Sequence, residues 1–141
     1  MAPSLAFHYA FPVKDLEATR RFYAGLLGCT EGRSTDKWVD FDFFGHQLSA
    51  HLHPDHQHDI KTSTVDGKAV PLHHFGAVLE WDDWQQLAEK LKNAGTDFII
   101  DPQARFKGLP GEQATMFFKD PSGNALEFKA FRREEEIFAR Q

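Results

Sequence analysis

The order of the sequence repeats. A strand-like run, LAFHYAFPV, precedes the helical run KDLEATRRFYAGLLG and two alternating runs, KWVDFDFFG and HQLSAHLHP. From His74 the order returns: HHFGAVLEW, the helical DDWQQLAEKLKNAG, the short strand TDFIID, then EQATMFFKD and NALEFKAF. Leu16, Thr19, Phe22, Tyr23, Leu26 and Leu27 recur at helical spacing in the first half, and Trp84, Leu87, Leu91 and Ala94 in the second. Asp15 is placed to cap the first helix, and Gly28 and Gly95 to stop the two helices. Gly45 falls between two alternating runs and predicts a hairpin. Asp120-Pro121-Ser122-Gly123 has the residue preferences of a type I turn. One helix and several antiparallel strands per half predict an α+β protein whose helices cover one sheet face, leaving the other face free to curve around something.

The boundaries follow from this repeat. Residues 1–141 are read as a single domain: a first module over 5–53, a polar, turn-rich linker over 54–71, a second module over 72–131 and a charged tail over 132–141. The tail, RREEEIFARQ, reads as a short charged helix. The 14 phenylalanines supply enough large apolar surface for a core. A net charge of −5 without a basic run argues against a nucleic-acid partner. A single cysteine, Cys29, rules out a disulfide framework and fits a reducing, cytoplasmic compartment. The opening MAPSLAFHYAF does not have the pattern of a signal peptide, and no apolar run is long enough to predict a membrane span.

Period-2 alternation sorts the strand faces. Phe7, Tyr9, Phe11 and Val13 point one way and His8, Ala10 and Pro12 the other. Leu48, Ala50 and Leu52 oppose Gln47, Ser49, His51 and His53. Phe75, Ala77 and Leu79 oppose His74, Gly76 and Val78. Leu126, Phe128 and Ala130 oppose Ala125, Glu127, Lys129 and Phe131. The bulkier apolar sets are expected to meet the helices. The opposite face then holds His8, His51, His74 and Glu127, read as equivalent places in the first and last strands of the two halves. Imidazole nitrogen and carboxylate oxygen on one face suit a divalent ion such as Fe2+, Mn2+, Ni2+, Co2+ or Zn2+. Such an ion would also account for a carboxylate in the middle of an apolar strand.

The first half, HYAFPVKDLEATRRFYAGLLG, and the close, KDPSGNALEF, resemble those of the vicinal oxygen chelate superfamily, which includes glyoxalase I, extradiol dioxygenases, fosfomycin-resistance transferases and bleomycin-resistance proteins. The resemblance covers about residues 5 to 131. It implies two paired βαβββ modules forming a curved, partly open mixed sheet around a central metal site, with helices on the outer face and commonly a homodimer. It places the family ligands on His8, His74 and Glu127. It puts His51 where bacterial glyoxalase I has Glu, a departure from both the glyoxalase and dioxygenase patterns. The implied function is a metal-dependent enzyme that chelates a small-molecule substrate through vicinal oxygens, with an extradiol-dioxygenase-like oxidoreductase favoured. A glyoxalase I-like lyase or isomerase and a non-enzymatic antibiotic-sequestering protein are the alternatives.

Other residues take lesser roles. Arg105 and Lys107 lie in a glycine-bearing loop suited to closing over an anionic substrate. Asp40 and Asp42 share the pocket-facing side of their strand and are candidates for substrate contact. His46, His56 and His58 read as exposed, ligand-free residues, His53 as an alternative to His51, and His73 as pointing away from the site. Cys29 has no evident base partner, and no catalytic acid or base is assigned.

Overall fold

The computed structural model describes residues 5–58, 61–65 and 67–140. Residues up to His58, together with Asp120–Gly123, form one compact unit, and the rest of the described chain forms a second.

The first unit begins with β1 (His8–Val13) and α1 (Leu16–Arg20), whose coil continues as a π-helical turn over Arg21–Leu26. Asp15 caps α1, its Oδ1 accepting from the Ala18 amide at 3.1 Å. The wider π turn departs from the uniform helix expected; within it Phe22 and Tyr23, adjacent in sequence, are both buried. β2 (Thr30–Ser34), β3 (Trp38–Phe43) and β4 (His46–Leu52) complete a sheet of order β1-β4-β3-β2. β3 and β4 join through Phe44 and Gly45, both at positive φ (52° and 89°), as a two-residue primed hairpin turn requires. β1 pairs with β4 in parallel, which a hairpin cannot connect, so the intervening helix makes the crossover.

The second unit repeats this plan. β7 (His74–Leu79), α2 (Trp81–Asn93), β8 (Phe98–Arg105), β9 (Gln113–Lys119) and β10 (Ala125–Phe131) form a sheet of order β7-β10-β9-β8, again with its first and last strands parallel. Each unit is therefore a βαβββ module with an open mixed sheet. α2 lies on β10, where the buried Trp84 indole donates to the Phe128 carbonyl at 2.9 Å. Trp84, Leu87 and Leu91 are buried as expected, whereas Ala94, the fourth residue of the expected stripe, is the exposed C-cap. Beyond β10 the described part of the charged tail forms a 3-10 turn over Glu134–Glu136 rather than a longer helix.

Two expectations change. The linker is not structureless: β5 (Thr62–Val65) and β6 (Lys68–Pro71) form an antiparallel ribbon, and Val70 is buried against Ile100 and Phe117. Arg105 ends β8 rather than lying in the loop beyond it.

A buried polar contact organises the first unit. Tyr23 is fully buried and donates to Asp120 Oδ2 at 2.9 Å, while Asp120 Oδ1 accepts from the Ser122 amide. Burial, followed by the Asp120 carboxylate, pushes the Tyr23 phenol well above its ordinary value. The turn is tied further by the Lys14 amide donating to Ser122 Oγ and by His58 Nε2 donating to the Ser122 carbonyl at 2.7 Å. Tyr23→Phe keeps the ring packing and removes one bond to a carboxylate. We expect a loss of about 1.5–3 kcal/mol in denaturant unfolding, and an unchanged midpoint would contradict this role.

Candidate metal centre

In the second unit the parallel register sets Glu127 beside Gly76, two residues along from the His74–Ala125 pair. The strands approach closely there, and a Cβ built on Gly76 would lie 1.6 Å from the Glu127 carbonyl oxygen. Only glycine permits that spacing. Glu127 also pairs in register with Phe117 on β9, whose ring meets the His74 ring edge-on with centroids 4.8 Å apart.

The proton positions follow from the hydrogen bonds. His74 Nδ1 is 2.9 Å from the Pro71 carbonyl oxygen, which can only accept, so Nδ1 carries a proton. In the neutral ring Nε2 is then a bare lone pair. It faces Glu127 Oε1 at 3.4 Å. The other carboxylate oxygen, Oε2, accepts from the buried Thr115 hydroxyl at 2.5 Å. Two acceptors therefore confront each other, and only a proton on Nε2 or a cation reconciles them. Around them His74, Phe75, Gly76, Ala77, Val78, Glu127 and Lys129 line an open cavity of about 240 Å³.

The first unit carries a similar arrangement. His8 opens β1 as His74 opens β7, and its Nδ1 lies 2.8 Å from Gln47 Oε1, again an atom that can only accept. Nε2 is again the free nitrogen in the neutral ring. Metal-bound histidines are commonly oriented by such a second bond from the other ring nitrogen. The register corrects one expectation. Two residues along from the His8–Gln47 pair stands Ser49, so Ser49 rather than His51 is the counterpart of Glu127. Ser49 is buried and donates to Asp40 Oδ1 at 2.6 Å. His51 lies two residues farther along the same strand and is exposed.

The remaining expected residues are placed as follows. Asp42 Oδ1 accepts from the Gly45 amide. Arg105 stacks over Phe106 at 5.2 Å, and Lys107 is exposed in the loop that follows. His53 lies just past the end of β4, its amide donating to the Val13 carbonyl. His46 opens β4, and its Nδ1 accepts from the Phe7 amide. The bond to Ser122 makes His58 a structural residue rather than a solvated one, and His56 packs edge-on against it. Burial, then the Asp42 carboxylate, pushes the Cys29 thiol up to about 12, which removes it as a nucleophile. Sequence reasoning did not single out Thr115, Gln47 or Ser49, because their roles depend on which residues the register sets beside them. Among the described residues no group of three or more His, Cys, Asp or Glu side chains is gathered as a ready metal site. No helix among the described residues is long and apolar enough to cross a membrane.

Residues 6–128 match the Glyoxalase/Bleomycin resistance protein/Dioxygenase superfamily. A glyoxalase/bleomycin resistance protein/dioxygenase from Alicyclobacillus acidocaldarius is 33% identical, covers 96% of this chain and 98% of its own, and superposes with a TM-score of 0.77. The fosfomycin resistance protein of Listeria monocytogenes shares the fold at 21% identity and a TM-score of 0.67, covering 96% and 98%. Lactoylglutathione lyase of Agrobacterium tumefaciens does so at 16% identity and 0.64, covering 92% and 96%.

Gly76→Ala tests the close approach of β7 and β10. The added methyl must push the strands apart, at a cost of about 1–3 kcal/mol. We expect a clear drop in the thermal midpoint, and a variant as stable as the parent would contradict the geometry.

Proposed function

The chain belongs to the glyoxalase/bleomycin resistance protein/dioxygenase superfamily, and on that premise we propose that it is a metal-dependent enzyme acting on a small substrate with two neighbouring oxygens. The observation that carries this reading is the confrontation of His74 Nε2 with Glu127 Oε1, a pair of acceptors suited to one cation. His8, with its Nε2 left free by the bond to Gln47, completes the proposed ligand set. Two imidazoles and a carboxylate fit Fe2+, Mn2+, Co2+, Ni2+ or Zn2+. When bound, such an ion supplies positive charge and open coordination positions for the substrate oxygens.

The protein's own residues orient the donors. Thr115 holds one oxygen of Glu127, the Pro71 carbonyl fixes the His74 tautomer, and Gln47 fixes that of His8. The counterpart of Glu127 in the first module is Ser49, a poor ligand already donating to Asp40. That leaves two histidines and one carboxylate, the donor set of non-haem iron oxygenases, and favours dioxygen-dependent cleavage of a catechol-like ring over the glyoxalase type of isomerisation. A preformed site is not required, because ion binding can be coupled to ordering of the ligands.

The test is anaerobic purification with metal analysis, followed by turnover on catechols and on a hemithioacetal. We expect one Fe2+ per chain, oxygen uptake with a catechol, and stabilisation of about 2.7 kcal/mol when free metal reaches a hundred times its Kd. Glu127→Ala should lose the ion. Nickel or zinc with hemithioacetal activity alone would overturn the dioxygenase reading. Full metal content in Glu127→Ala would overturn the ligand set, and a metal-free protein that binds an antibiotic would make it a sequestering module.

A further inference from the structure

The first unit contains a second cleft, whose lining shares no residue with that of the His74–Glu127 cavity. It has a volume of about 330 Å³, and its lining includes Arg33, Asp40, Asp42, His46 and Gln47. Gln47 is the residue that orients His8, so the cleft adjoins one of the proposed ligands.

Three features suit it to a ligand carrying both charges. The pairing of β2 with β3 shifts register between Glu31 and Ser34, so Gly32 and Arg33 both stand opposite the stretch around Asp40. A bulge of this kind re-aims a side chain. A methyl added at Gly32 would lie in van der Waals contact with Asp40 Cβ, at 3.4 Å. Second, among the described residues Arg33 makes no hydrogen bond or ion pair, although it lines the same cleft as two carboxylates. Third, among the described residues each carboxylate has only one oxygen engaged in a hydrogen bond: Asp40 Oδ1 with Ser49, and Asp42 Oδ1 with the Gly45 amide. Asp40 and Asp42 are two apart on one strand face, about 7 Å along the chain, a spacing that one ammonium can bridge. His46 accepts the Phe7 amide at Nδ1, so in the neutral ring Nε2 carries the proton and adds a donor.

We propose that this cleft binds the zwitterionic end of an α-amino acid, or of a molecule ending in one. The carboxylate pairs with Arg33 and the ammonium lies between Asp40 and Asp42. Arg33 offers a two-pronged donor matched to a carboxylate, and the two aspartates supply acceptors for an ammonium. The proposal deepens the proposed function by naming the substrate class. It is tested on metal-free protein, so failure of the metal reading leaves this test intact.

L-phenylalanine, 3-phenylpropanoate and phenethylamine are titrated into the full chain by calorimetry. The amino acid should bind at least tenfold more tightly than either comparator. Arg33→Gln should bring its affinity down to that of the amine, and Asp42→Asn, which keeps the acceptor for Gly45, should weaken it severalfold. Circular dichroism checks that both variants remain folded. Equal binding of amino acid and acid, no measurable binding of any probe, or full affinity in the folded Arg33→Gln variant would each overturn the proposal.

Discussion

Glu127 Oε1 lies 3.4 Å from His74 Nε2, and neither atom brings a proton to the contact when the ring is neutral. The strands hold both groups in place. Parallel pairing of β7 with β10 places them two register steps apart, and the absence of a side chain at Gly76 lets the strands close. Thr115 takes the far oxygen of the carboxylate, and the Pro71 carbonyl takes the far nitrogen of the ring. The half-buried acceptor pair is thus held by bonds on its outer sides, and its inner side is left to a cation or a proton.

The surrounding fold supports this arrangement. β6 of the linker ribbon buries Val70 against Phe117, the residue that pairs with Glu127 and packs against the His74 ring. The linker therefore builds up the apolar surroundings of the site. The first module holds an analogous histidine with its own orienting bond, but it has a serine where the second has its glutamate. That asymmetry between repeats is the chemical reason for favouring a three-ligand centre.

Much of the fold was legible because duplication is visible as order and spacing. Asp15 as cap, Gly45 as turn and the Trp84–Leu87–Leu91 stripe all follow from local physics, and the structure bears them out. The linker ribbon was not legible, because TSTV and KAVP are short and lie in a polar stretch. In the second unit, the shared face of His74 and Glu127 followed from alternation. The equivalence of His51 to Glu127 did not survive, because alternation fixes a face but not a register. Two residues along a strand return to the same face, so His51 and Ser49 cannot be separated until strand pairing is known. The same limit hid Thr115 and the Arg33 bulge, since each acquires its neighbours only through pairing.

The central claim is that His74 presents Nε2, with Nδ1 protonated, to a cation shared with Glu127. The most direct measurement is nitrogen NMR of the histidine rings, with His74 assigned by substitution, before and after addition of a diamagnetic divalent ion such as Zn2+. The account predicts a proton on Nδ1 of His74 both with and without the ion, and a large shift confined to Nε2 when the ion binds. A ring protonated at Nε2 alone, or coordination through Nδ1, would contradict it.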